Sequence, residues 1–102
     1  MRITTVKILQ LLESVTPGQV FEVEMASGPN KDDRIRLDQA NWLHIDAHDD
    51  PPMVSLMDER HEVGGQITFW MIKCPSDISE VVQTALKFSA EMQAAQVSPK
   101  PA

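Results

Sequence analysis

The sequence predicts a two-layer α+β sandwich, an antiparallel sheet of four to five strands with an N-terminal helix and a long C-terminal helix. Two observations predict this fold. Segments in which apolar and polar residues alternate, typical of half-buried strands, follow one another between residues 19 and 73. Segments with helical spacing lie at the two ends of the chain. Strands that run together between two helices favour an antiparallel sheet against which both helices pack.

The two predicted helices are bounded by capping and breaking residues. The first spans about Thr5–Val15, where apolar residues repeat at helical spacing until Pro17 stops the helix. The second begins with a capping box formed by Asp77 and Glu80 and runs to about Ala94 along an apolar stripe. Both helices therefore have one face to bury against the sheet.

Between the helices we predict four to five strands. The segments with strand patterns are residues 19–25, 34–37, 41–48, 53–57 and 66–73. The segment 41–48 has a second interpretation, a short helix capped by Asp38. If the helices cover one sheet face, the alternation places Trp42 and Trp70 on the opposite, polar face and Phe69 on the covered face.

Chain length and composition indicate one domain. The chain has 102 residues, of which 42% are hydrophobic and 24% are charged, as in an ordinary globular protein with one hydrophobic core. We expect residues 1–95 to form this domain. Residues 96–102 contain two prolines and little to bury, so we expect them to be a flexible tail.

We expect a cytoplasmic protein that does not enter a membrane. No apolar run approaches the roughly 20 residues that a membrane-spanning helix needs. The N-terminus lacks the apolar region of a secretory signal. Cys74 is the only cysteine, so no internal disulfide can form, which suits a reducing compartment.

The negative charge is concentrated in the middle of the chain. The net charge is −6, and between residues 38 and 62 seven acidic residues stand against Arg60 alone. Such a segment repels phosphates, so we expect no direct binding to nucleic acid. It attracts a basic protein partner instead, including a partner that itself binds nucleic acid.

The predicted partner surface combines this charge with tryptophan. Tryptophan is enriched among the residues that dominate binding at interfaces. The alternative is that one or both rings turn into the core, because tryptophan is largely buried on average. The residues that we predict to contact a partner are Trp42, Trp70, Asp46, Asp49, Asp50, Asp58 and Glu59.

A second candidate site is the pattern His44-x-Asp46-x-His48, with His61 further along the chain. On a strand, alternate residues point to one side, so these side chains can converge on a divalent transition metal. The chain has no established metal motif such as His-Glu-x-x-His. The alternative is a solvated strand face that is rich in histidine and aspartate.

Cys74 precedes a helix N-terminus, where the helix dipole favours a thiolate. The order of strand, Cys74-Pro75 and helix resembles that in the TusA-type sulfur carriers, which implies a sulfur or redox role. The chain departs from that family's Cys-Pro-x-Pro motif at Asp77, and the order of its other elements does not match. The alternative is a small buried hydrophobic residue.

These observations lead to two function hypotheses. The first is a small acidic non-enzymatic interaction protein, an inhibitor, immunity-type or regulatory module that binds a basic protein partner and needs no cofactor. It is favoured because the sequence has neither a phosphate-binding glycine loop nor a serine nucleophile elbow. The second is a metal-binding protein or metal-dependent enzyme that uses the His/Asp cluster. A homodimer is a further expectation, because an open sheet edge in a small domain needs cover.

Overall fold

A computed structural model of the chain describes residues 3–25, 32–47, 50–61 and 65–97. The elements are α1 (Ile3–Val15), β1 (Glu22–Glu24), β2 (Asp33–Arg36), β3 (Asn41–Asp46), β4 (Met53–Asp58), β5 (Gln66–Met71) and α2 (Pro75–Val97). The five strands form one antiparallel sheet in chain order. The predicted α+β fold is therefore confirmed. Neither helix in these ranges has both the length and the apolar character needed to cross a membrane.

Both helices pack on the same face of the sheet. The fully buried side chains of this interface come from both layers and are Ile8, Leu12, Ile35, Leu43, Ile45, Val54, Leu56, Val81 and Ala85. A buried hydrogen bond from Thr5 Oγ1 to Asp33 Oδ2, 2.6 Å long, also joins α1 to β2. The predicted apolar stripes of the helices are thus the surfaces that meet the sheet.

The chain between residues 41 and 46 is a strand rather than the alternative short helix. As β3 it pairs with β2 on one side and β4 on the other, so its backbone groups are satisfied by two neighbours. Asp38 therefore caps a turn and not a helix. Its Oδ1 accepts hydrogen bonds from the backbone N–H groups of Ala40 and Asn41, each 2.8 Å long.

The side chains of strand β5 from Thr68 to Met71 lie on the opposite sheet faces to those predicted. Trp70 pairs with the fully buried Val54 and lies on the helix-covered face, where it packs half-buried against the core. Phe69 and Met71 lie on the opposite face and are 51% and 40% exposed. The cause is a register shift near the start of β5 that leaves Ile67 without a partner in β4 and reverses the phase of the alternation.

A polar network joins the β2–β3 turn to α2 and to the end of β4. Asp38 Oδ2 accepts a hydrogen bond of 2.6 Å from Ser89 Oγ. The side-chain amide of Asn41, with its nitrogen towards Asp38, donates to both carboxylate oxygens at 3.0 and 2.7 Å. Asp58 accepts from the backbone N–H, Nε and a terminal nitrogen of Arg60, at 2.8, 2.9 and 3.1 Å. Burial raises the pKa of Asp38 and Asp58, but these hydrogen bonds outweigh it and hold each pKa below its ordinary value.

The C-terminal helix is longer than predicted. It begins at Pro75, two residues before the predicted cap, and continues to Val97. No proline or glycine stands between Pro75 and Pro99, so the helix can continue into the first two residues of the predicted tail. Residues 98–102 of that tail lie outside the described residues.

Candidate partner-binding face

The sheet face opposite the helices is not covered by any element of the described chain. We call it the open face. Cross-strand pairing brings together on it Glu22, Glu24, Arg34, Arg36, Trp42, His44, Asp46, Met53, Ser55, Met57, Phe69 and Met71. The part formed by β1, β2 and β3, from Glu22 to Asp46, carries all of its charge, and we call it the charged half. The part formed by β4 and β5 is mainly apolar.

Trp42 stands at the centre of the charged half. The guanidinium carbons of Arg34 and Arg36 lie 5.8 and 5.5 Å from the centre of its ring, within the range of cation–π attraction. The ring is half-buried on the open face. Its indole N–H is buried and makes no hydrogen bond within the described structure. A buried donor without an acceptor typically costs about 1–3 kcal/mol.

Glu22 and Glu24 lie at the outer edge of the charged half. They are paired across the strands with Arg36 and Arg34, yet neither glutamate forms an ion pair with a described residue. The arginines instead extend over the Trp42 ring. Both glutamates are exposed. Together with Arg34, Arg36 and Trp42 they line a cleft of about 320 Å³.

Two other predicted partner residues lie in the charged half or beside it. Asp46 lies at the end of β3 on the open face, opposite Met53. Glu59 follows β4, and its Oε1 lies 3.5 Å from a terminal nitrogen of Arg36. Trp42 thus shares the open face with Asp46, and two further acidic residues, Glu22 and Glu24, come from β1, where none was predicted.

Other predicted partner residues are not on the open face. Trp70 lies on the helix-covered face, as described above, and does not share a surface with Trp42. Asp58 is 2% exposed, and its carboxylate is bound by Arg60. Its placement on a partner surface was wrong, because the charge is used inside the fold. Asp50 is exposed between β3 and β4, and Asp49 lies outside the described residues.

The predicted metal ligands do not form a group within the described ranges. His44 Nε2 lies 2.6 Å from Asp32 Oδ2, and these two residues line a cleft of about 190 Å³ that Asp46 also borders. His61 is exposed beyond the end of β4, and His48 lies outside the described residues. In the part of the chain that is described, no three His, Cys, Asp or Glu side chains are placed to hold a metal ion.

The metal site therefore stays a prediction. It requires that purified protein contains Zn, Ni, Mn or Fe in an amount equivalent to the protein, as measured by elemental analysis. His44→Ala is then expected to lower this content by at least about tenfold, because loss of one of few ligands removes much of the affinity. Gln83→Ala, at an exposed position of α2, is the control variant. Protein that carries no metal after purification without chelators would remove the hypothesis.

Cys74 is exposed at the start of α2, which excludes the alternative of a buried hydrophobic residue. Its sulfur lies 3.0 Å from Ser76 Oγ and 3.5 Å from Asp77 Oδ2. Asp77 is the third residue of the helix, and its carboxylate reaches back to the backbone N–H groups of Lys73 and Cys74 at 2.7 and 3.1 Å. The hydrogen bond from Lys73 contributes most to a pKa of Asp77 below its ordinary value. The carboxylate is thus the returning member of a cap centred on Cys74.

Comparison of the chain with protein families, with curated proteins and with solved structures found no match. The function is therefore argued from the open face. Its most informative residues outside the acidic segment are Glu22, Glu24, Arg34 and Arg36, which were not predicted as site residues. The signal for them is present as Glu-x-Glu and Arg-x-Arg in two consecutive strand segments, a pattern that places like charges on one face of each strand.

Proposed function

We propose that this protein is a small acidic, non-enzymatic interaction module that binds a basic protein partner through the charged half of the open face. The single observation that carries the proposal is the surroundings of Trp42. This large ring stands on a sheet face that no described element covers, beside two glutamates that make no ion pair with a described residue. A partner that supplies basic side chains would complement the two exposed carboxylates and cover the exposed part of the ring.

The charge of this region favours a basic partner over an acidic one. Glu22, Glu24, Asp46 and the adjoining Glu59 outnumber Arg34 and Arg36 by four to two. The chain as a whole carries a net charge of −6. At physiological ionic strength such charges act over about 8 Å, so they accelerate the approach of a basic surface before contact.

The two arginines reduce the negative charge of this region, but the protein itself holds them in place. Arg36 donates to the backbone carbonyl oxygens of Asp38 and Gln39 at 3.4 and 3.0 Å and also pairs with Glu59. Both guanidinium groups are drawn over the Trp42 ring. They hold the ring in one orientation, which lowers the entropy that the ring loses when a partner binds.

For a basic partner of this kind, charge would accelerate association, and direct contacts would slow dissociation. Inhibitor, immunity-type and regulatory modules fit this description, since each binds one partner and performs no chemistry. A partner that itself binds nucleic acid would present lysine and arginine side chains that otherwise neutralise phosphates. Such a partner would be blocked while its basic surface is occupied.

The experiment is capture of the partner on immobilised protein, followed by measurement of the association rate at low and high salt. The double variant Glu22→Gln/Glu24→Gln is expected to lower the association rate about tenfold at low salt, since charge steers the encounter. The matched control, Glu13→Gln/Glu91→Gln, removes the same charge from exposed positions on the helices and is expected to change the rate little. Binding that ignores salt, or that both double variants weaken equally, would overturn the proposal.

A further inference from the structure

The sheet ends in two edge strands that differ in charge. Strand β1 carries Glu22 and Glu24 at one edge, whereas β5 has no charged residue and no proline between Gln66 and Met71. Proteins protect sheet edges from pairing with other chains by charges, prolines, bulges or covering elements. Among the described residues, the glutamates protect β1 along its whole length. The C-terminal part of β5, from Thr68 to Met71, has no charge, proline or bulge, and no described element covers it.

Within the described part of the chain, Phe69 and Met71 are the residues of β5 whose backbone groups face away from β4. The backbone N–H of Ile72 donates to the carbonyl oxygen of Pro52 at 2.8 Å, so this residue faces β4. Backbone groups in an antiparallel strand face its two sides alternately. Trp70 therefore also faces β4, while the N–H and C=O groups of Phe69 and Met71 point away from the sheet.

The same two residues carry exposed apolar side chains. Phe69 is 51% exposed and Met71 is 40% exposed, and both lie on the open face at its outer edge. One strip of the molecule thus combines unpaired backbone groups with uncovered apolar area. A further strand along this edge would satisfy the first and cover the second.

We propose that β5 pairs antiparallel with β5 of a second copy, so that the two five-stranded sheets become one continuous sheet. In the register centred on Trp70, Phe69 of each copy lies opposite Met71 of the other. Each such pair exchanges both of its N–H···O=C hydrogen bonds. The ring and the thioether then lie side by side on the open face, a favourable contact for both groups. The contact is two-fold symmetric, as in most homodimers.

The absence of like charges favours β5 over β1 as the edge at which two copies meet. Two copies of a chain with a net charge of −6 repel each other, so a stable contact needs a surface without like charges. Pairing through β1 would set Glu22 and Glu24 against the same carboxylates of the second copy. In the register given above, Lys73 lies opposite Ile67, so no like charges face each other along β5. The charged half lies on the far strands of each sheet and stays free to bind a partner.

The test begins with the mass and the amide exchange of the full chain. We expect sedimentation equilibrium to show a monomer–dimer equilibrium, and the Phe69 and Met71 amides to become protected from hydrogen exchange as the dimer forms. Val23 provides the control amide. Leu37 donates to the carbonyl oxygen of Asn41 at 2.9 Å, and by the same alternation the Val23 amide points to the free edge of β1, so it should stay unprotected.

A pair of variants separates this contact from other modes of association. Phe69→Lys/Met71→Lys sets lysines opposite each other along the edge and is expected to raise the dimer dissociation constant at least about tenfold. Gln10→Lys/Gln83→Lys adds the same charge at exposed helix positions and is expected to change it little. A wild-type chain that stays monomeric, a dimer with unprotected Phe69 and Met71 amides, or a dimer that both double variants weaken equally would overturn the proposal. Loss of fold in the lysine variant would leave the exchange measurement on the wild-type chain to decide.

Discussion

Replacement of Trp42 by alanine is expected to weaken the proposed partner complex about thirty-fold, mainly through faster dissociation. A tryptophan that is buried at the centre of an interface typically contributes about 2 kcal/mol or more, and each 1.4 kcal/mol changes affinity about tenfold. In the proposed complex Trp42 would meet these conditions, because it stands at the centre of the charged half and lies beneath Arg34 and Arg36. Surface plasmon resonance with the captured partner measures the two rates.

The other tryptophan provides the contrast to this prediction. Trp70 packs against the core from the helix-covered face, so Trp70→Ala is expected to lower the free energy of unfolding by about 3 kcal/mol. Trp42→Phe keeps an aromatic ring on the open face and removes the buried N–H that has no acceptor among the described residues, so the fold should lose little stability. Urea denaturation measures both variants. If Trp42→Phe unfolds the domain and Trp70→Ala does not, the assignment of the two rings is wrong.

Replacement of Asp38 by alanine is expected to lower the free energy of unfolding by about 3 kcal/mol. Its carboxylate accepts hydrogen bonds from the backbone N–H groups of Ala40 and Asn41, from the Asn41 amide and from Ser89. The variant leaves these donors without this acceptor, and three of them belong to the buried residues Asn41 and Ser89. The contact to Ser89 is also a direct link between the sheet and α2. Chemical denaturation followed by circular dichroism measures the loss.

Glu91→Ala is the matched control for Asp38→Ala. It removes one negative charge from an exposed position of α2, and a change within about 0.5 kcal/mol is expected. An equal loss of stability in both variants would show that net charge, rather than the hydrogen bonds of Asp38, accounts for the effect.

The same network sets the response of the fold to acid. Asp38 and Asp58 have pKa values below those of an unfolded chain, so they stabilise the fold fully above the unfolded value of about 3.9. This contribution is lost as the pH falls through the lower, folded pKa values. The free energy of unfolding should therefore fall less steeply with decreasing pH below about pH 4 for Asp38→Ala than for the wild-type chain, as measured by chemical denaturation at a series of pH values. A main loss of wild-type stability between pH 5 and 7 would contradict this account.

The type and order of the elements could be predicted from the sequence, because they depend on local periodicity. Ile8 and Leu12 are one helical turn apart and are both fully buried. Leu43 and Ile45 are separated by the two-residue period of a strand and are also fully buried. Each pattern requires only that one face of the element be removed from water, and any compact fold does this. The concentration of negative charge was also visible at this level.

The membership of the open face was decided only by the tertiary structure. Residues 66–71 carry large apolar side chains at both odd-numbered and even-numbered positions, so alternation alone cannot tell the buried face of the strand from the exposed one. The register shift beside Ile67 determined that Trp70 faces the helices and Phe69 faces outward. Asp58 likewise counted as surface charge in the sequence, because its pairing with Arg60 inside the fold depends on where the chain turns after β4. Register and long-range pairing are set by packing between distant segments, and local periodicity does not encode them.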